Sequence, residues 1–60
     1  MNKFKVGDLV EFAHHNDGFV GLVEDFWFVG LHIVEYRVIW NDGDTSYETE
    51  GLIRRYDESR

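Results

Sequence analysis

Val34-Glu35-Tyr36-Arg37-Val38-Ile39-Trp40-Asn41-Asp42-Gly43-Asp44-Thr45 is the stretch that decides the fold. Every second residue up to Trp40 is bulky and apolar. Val34, Tyr36, Val38 and Trp40 therefore share one face of an extended chain, and Glu35, Arg37 and Ile39 share the other. That period is a strand's and carries no helical stripe. Asn41-Asp42-Gly43-Asp44 ends the run. Asp-Gly between two strand-like segments predicts a hairpin with a type I′ turn, because both central residues of that turn take positive φ and Asp and Gly tolerate it. Thr45 to Glu50 is then the returning strand.

Upstream, Asp8 to Ala13 reads as a first strand with Val10 and Phe12 on one face, Leu9 and Glu11 on the other, and Val6 leading into the core. The polar stretch His14-His15-Asn16-Asp17-Gly18 is a loop. A second strand runs from about Phe19 to Phe28, but its alternation breaks. Val23 and Phe26, the natural core residues, lie an odd number apart, and the charged Glu24-Asp25 between them predicts a β-bulge on a bent strand. Gly21 marks a place where a neighbour approaches closely. Downstream, Gly51-Leu52 reads as a single 3₁₀ turn, Ile53 to Tyr56 as a short last strand and Asp57 to Arg60 as a polar tail. Five short strands are too few for two stacked sheets, so the expected architecture is a closed, five-stranded, all-β small barrel. It spans residues 1–60, with an ordered part over about 4–56 and a core of Val6, Val10, Phe12, Val23, Phe26, Tyr36, Val38, Trp40 and Leu52.

Composition narrows the possibilities further. The chain has sixty residues, no Cys and no Pro. A domain of that size hides only about 60% of the surface its unfolded chain exposes. Without disulfides or a Cys-based zinc site, its stability has to come from apolar packing or self-association. Aromatic residues make up 17% of the chain, too many for a disordered tail. No apolar run approaches the roughly 20 residues of a membrane span, and Met1 to Lys5 runs into Val6-Gly7-Asp8 and not into an apolar signal core, so a soluble cytoplasmic protein without membrane association is expected.

Lys5-Val6-Gly7-Asp8-Leu9-Val10-Glu11, Gly21-Leu22-Val23, Tyr36-Arg37-Val38-Ile39-Trp40-Asn41-Asp42-Gly43-Asp44 and Leu52 together resemble the SH3-like small barrels of the Tudor and KOW type. The resemblance covers nearly the whole chain, and it extends to small free-standing barrels encoded by bacteriophages, which implies the host cytoplasm as the location. Its motifs speak for fold, since each has a folding explanation in a turn, a bulge or a core valine. Tudor-like domains use an aromatic rim with a nearby carboxylate to hold a methylated cation. By that resemblance Trp27, Phe28, Trp40 and Tyr47 form the rim here, with Asp42, Asp44 and Glu48 as the acids, and the ligand is a basic or aromatic-seeking segment of a protein partner.

Other chemistries find less in the sequence. Asp42, Asp44, Glu48 and Glu50 form an acidic run, but as a calcium loop starting at Asp42 it has Tyr47 where Gly is needed and Ile53 where Glu is needed. His14 and His15 are adjacent and point apart on an extended chain, and His32 has no partner at a ligand spacing, so no metal or cofactor site is expected. With no Cys, and with Ser46 lacking a neighbouring His, the expectation is a protein that is not an enzyme. The net charge of −6 opposes broad nucleic-acid binding. A KOW-like alternative arises if the last strand pairs with the first, which brings Arg54 and Arg55 near Lys3 and Lys5 as a local basic strip. Glu11, Asp57 and Glu58 are the acids that could neutralise it. A further alternative is a structural homodimer or larger homo-oligomer burying Leu9, Leu22 and Ile39 of the outer face.

Overall fold

In the computed structural model residues 3–14 and 17–56 are described. They form β1 (Leu9–Phe12), β2 (Gly21–Phe28), β3 (Val34–Trp40), β4 (Thr45–Thr49) and β5 (Ile53–Arg55), with one 3₁₀ turn over Glu50–Leu52. All neighbouring strands are antiparallel, in the order β4-β3-β2-β1-β5. The first and last strands pair, with Val10 opposite Arg55 and Phe12 opposite Ile53. The ladder does not close, however: β4 and β5 remain its two edges. Only the three-residue turn joins these edges, so the sheet has to curl strongly at that end to bring them within reach.

The alternation of β3 is realised in full. Val34, Tyr36, Val38 and Trp40 are buried, and the pattern flips to half-buried or exposed at Glu35, Arg37 and Ile39. The ladder between β2 and β3 shifts register between Val23 and Asp25, which is the bulge expected there. The shift lets Val23 and Phe26 face the same side, opposite Val38 and Tyr36, despite their odd spacing. Tyr36 is completely buried. Its ring meets Phe4 edge to face at 5.4 Å, and its hydroxyl accepts a hydrogen bond from Phe4 N at 3.2 Å.

Three expectations are corrected. Val6 is 57% exposed, and Phe4 takes its place in the core at 2%. Lys5 to Asp8 form a turn closed by Asp8 N to Lys5 O at 3.0 Å, with Gly7 at φ 97°. Val6 thus stands at the outer corner of a turn and not at the start of a strand. Leu52 is 48% exposed and Ile53, at 1%, is buried in its stead, because the 3₁₀ turn shifts the inward phase by one residue. The hairpin after β3 is not type I′. Gly43 has φ 92° but Asp42 does not have positive φ, and Trp40 N donates to Asp44 O while Gly43 N donates to Trp40 O. This is a three-residue loop with glycine in the left-handed position. Phe12 and Phe26, expected in the core, are half-buried and pack against it. His15, Asn16 and the tail from Asp57 lie outside the described residues.

Gly21 is required by packing. A Cβ built there would collide with Val38 Cγ1 and stand 2.8 and 2.9 Å from two atoms of the Trp40 ring. Gly51, by contrast, has open space around the same position. Gly21→Ala is therefore expected to cost about 1–3 kcal/mol in chemical denaturation, as overpacking of a core does. Gly51→Ala should leave stability within about 0.5 kcal/mol of the parent. Equal effects at the two glycines would contradict this packing.

Candidate functional site

The described surface carries a groove of about 310 Å³ lined by Phe12, Phe19, Trp40, Asp42, Asp44, Thr45, Ser46 and Glu48. It is assembled from the end of β1, the segment before β2, the end of β3, the hairpin and the inner face of β4. The loop before β2 is held to the hairpin by Asn41 N donating to Val20 O at 2.8 Å and Asn41 Nδ2 donating to Gly18 O at 3.2 Å. These bonds hold the segment carrying Phe19 beside the hairpin. Phe12 stacks on Trp40 with centroids 4.1 Å apart and planes 15° apart, and it meets Phe19 edge to face at 6.4 Å and 83°. The floor is thus a right-angled corner of two half-buried phenyl rings backed by the indole.

Trp40 itself is only 5% exposed, with its ring against Gly21 and Phe12 and its indole N–H donating to Ser46 Oγ at 2.7 Å. It shapes the groove and offers little ring face to a ligand. Asp42, Asp44 and Glu48 stand round the aromatic corner, and none of the lining residues is basic. Asp42 Oδ1 also accepts from Asp44 N at 3.0 Å, which stiffens the acidic turn. Four of the seven residues expected at an aromatic and acidic rim, Trp40, Asp42, Asp44 and Glu48, are therefore brought together.

Trp27, Phe28 and Tyr47 are not among the groove's lining residues. Successive residues of β4 face opposite sides, so Tyr47 points away from Ser46 and Glu48. It lies 5.8 Å from Trp27 on the outer face of the sheet, where the Trp27 indole N–H donates to Glu35 Oε1 at 2.9 Å. Phe28 ends β2 at 64% exposure and opens an apolar loop with Val29, Leu31 and Ile33, all exposed. Leu9, Leu22 and Ile39 do form a row across β1, β2 and β3, as register partners on the outer face. In place of Trp27, Phe28 and Tyr47 the groove holds Phe12 and Phe19, which the sequence pattern marked only as core and strand entry. The available signal was position, since both flank the loop that the hairpin seals.

The described arginines are engaged with acids, and Lys3 with an aromatic ring. Arg54 Nε donates to Glu11 Oε2 at 2.8 Å, Arg55 Nη1 lies 3.4 Å from Asp8 Oδ2, and Lys3 Nζ lies 5.7 Å from the Phe4 ring centroid. The backbone N–H of Lys5 also donates to Asp8 Oδ2, at 3.1 Å. On the outer face Arg37 Nε stands 3.4 Å from Glu24 Oε1, close enough for an ion pair but without hydrogen-bond geometry. Among the described residues no three His, Asp or Glu side chains converge as metal ligands would, and no helix is long and apolar enough to cross a membrane. No protein-family model, curated protein or solved structure matches the chain.

The Glu11 and Asp8 side chains are about equally buried, at 10% and 13% exposure, but Arg54 hydrogen-bonds Glu11 at 2.8 Å whereas Arg55 is 63% exposed and stands 3.4 Å from Asp8. Arg54→Ala is expected to destabilise the fold by about 1–3 kcal/mol, because it strips a charge-assisted bond from a buried carboxylate. Arg55→Ala should cost less than about 1 kcal/mol. Thermal unfolding of the two variants side by side checks the order, and a larger loss at Arg55 would contradict it.

Proposed function

We propose that this chain is an SH3-like barrel acting as a non-enzymatic protein-interaction module that holds a basic segment of a partner in the groove of Phe12, Phe19 and Trp40. The fold part of the reading draws on the strand order, the bulge in β2, the 3₁₀ turn before β5 and the pairing of β5 with β1. The functional part is carried by one observation: an aromatic corner bordered by Asp42, Asp44 and Glu48 with no basic residue in the lining. Ring faces attract cations through their quadrupole, and a guanidinium or ammonium placed there also reaches carboxylates for charge-assisted bonds. The net charge of −6 adds long-range steering of a basic partner toward the protein. Arg54 and Arg55 support a nucleic-acid surface less well, since Glu11 and Asp8 already occupy them.

Titration calorimetry with a blocked Arg-Val-Arg-Val-Arg peptide and its Glu-Val-Glu-Val-Glu counterpart tests the reading. The basic peptide binds and the acidic one does not. Asp44→Asn combined with Glu48→Gln weakens binding by about threefold to tenfold while leaving the turn's backbone bonds intact. Phe28→Ala combined with Leu31→Ala leaves it unchanged. Equal binding of the two peptides, or indifference to the loss of both carboxylates, would overturn the reading.

A further inference from the structure

We infer that the partner segment binds as an added strand on the free edge of β4, so that the ladder itself, and not side-chain capture alone, holds it. The inference rests on the reading of the groove as a site for a basic segment and adds the mode of binding and the pattern of the ligand.

The edge follows from hydrogen-bond alternation. In an antiparallel hairpin, residue pairs alternate between those that exchange both backbone bonds and those that exchange none. Trp40 and Asp44 are bonded at the turn, by Trp40 N to Asp44 O at 2.7 Å. Counting along the register, Ser46 opposite Val38 and Glu48 opposite Tyr36 direct their N–H and C=O groups toward β3. Thr45 and Tyr47 therefore direct theirs outward. β4 pairs with β3 alone, and among the described residues no backbone–backbone hydrogen bond takes those outward groups. An open row of donors and acceptors is a template for another strand.

The groove lies against the inner side of the same strand, since Ser46 and Glu48 line it. Side chains of an added strand alternate between faces, so every second one falls beside Ser46 and Glu48 over the aromatic corner, and the others lie beside Tyr47 on the outer face. The acids of the groove ask for Arg or Lys at the inner positions. Tyr47, half of a ring pair with Trp27, favours β-branched or aromatic residues at the outer ones.

Charge also decides against a second copy of this chain as the occupant. Antiparallel self-pairing of β4 about Tyr47 sets Asp44 of each copy toward Glu50 of the other. Centring on Ser46 sets Asp44 against Glu48, and centring on Glu48 sets the two glutamates face to face. Like charges directly opposite are destabilising, so each of these registers is opposed by the charges that favour a basic strand.

Two N-methylated forms of the Arg-Val-Arg-Val-Arg peptide provide the test, one methylated at the Val amides and the other at the Arg amides. Only one set of amides faces β4 in a ladder. Methylating that set is expected to lower affinity by about tenfold or more through lost backbone bonds, and methylating the other set to leave it nearly unchanged. Equal effects of the two sets, or no effect of either, would overturn added-strand binding while leaving the groove reading intact. Failure of the unmodified peptide to bind would instead remove the groove reading itself. Sedimentation without peptide is expected to show a monomer, and a dimer abolished by Tyr47→Pro would assign the edge to a second copy and overturn the inference.

Discussion

The close contact between Trp40 and Gly21 is the constraint on which the rest of the structure depends. Trp40 ends β3, and its indole occupies the space that any side chain on Gly21 would fill. In that position it stacks on Phe12 of β1 and donates to Ser46 of β4, so one ring ties together four of the five strands. A sixty-residue chain without cysteine depends on such a contact, because it has few buried groups over which to spread its stability. The same ring backs the groove. Fold and candidate site thus share a residue, with the indole buried for stability and Phe12 and Phe19 left at the groove.

The open sheet gives the acidic charge a second role. A closed barrel would have removed its edges, whereas here β4 keeps one. Exposed edges invite association between copies, and natural proteins guard them with charge. Asp42, Asp44, Glu48 and Glu50 cluster around β4 and perform that guarding against another acidic copy of the chain. They do not repel a basic strand. On the proposed reading, the charge distribution and the outward backbone groups of β4 act on the same partner class.

Much of the fold was legible in the sequence where one physical rule acted alone. The alternation in β3 and the broken phase at Glu24-Asp25 both appear in the burial pattern and the register. Legibility failed where turn geometry competed with hydrophobic phase. Val6 looks like a core residue until Gly7 adopts positive φ and turns Phe4 inward in its place, and Leu52 loses its position to Ile53 because a 3₁₀ turn does not keep a strand's period. The lining of the candidate groove was half legible. Trp40, Asp42, Asp44 and Glu48 do meet, since the hairpin holds them within a few residues of one another. Trp27 and Tyr47 are near in register but lie on the far face, whereas Phe12 joins the groove through its stack on Trp40 and Phe19 through Asn41's bonds to the loop before β2, long-range contacts that no local pattern encodes.

The two tryptophans provide the most direct measurement. Trp40 Nε1–H bonds to Ser46 at the groove, and Trp27 Nε1–H bonds to Glu35 on the outer face, so the protein carries two assignable indole signals on opposite sides of the sheet. Proton–nitrogen correlation spectra recorded while the blocked Arg-Val-Arg-Val-Arg peptide is added should show the Trp40 indole signal moving to saturation, with the Trp27 signal moving much less. A dominant shift at Trp27, or both signals stationary at saturating peptide, would contradict the placement of the binding site in the groove that Trp40 builds.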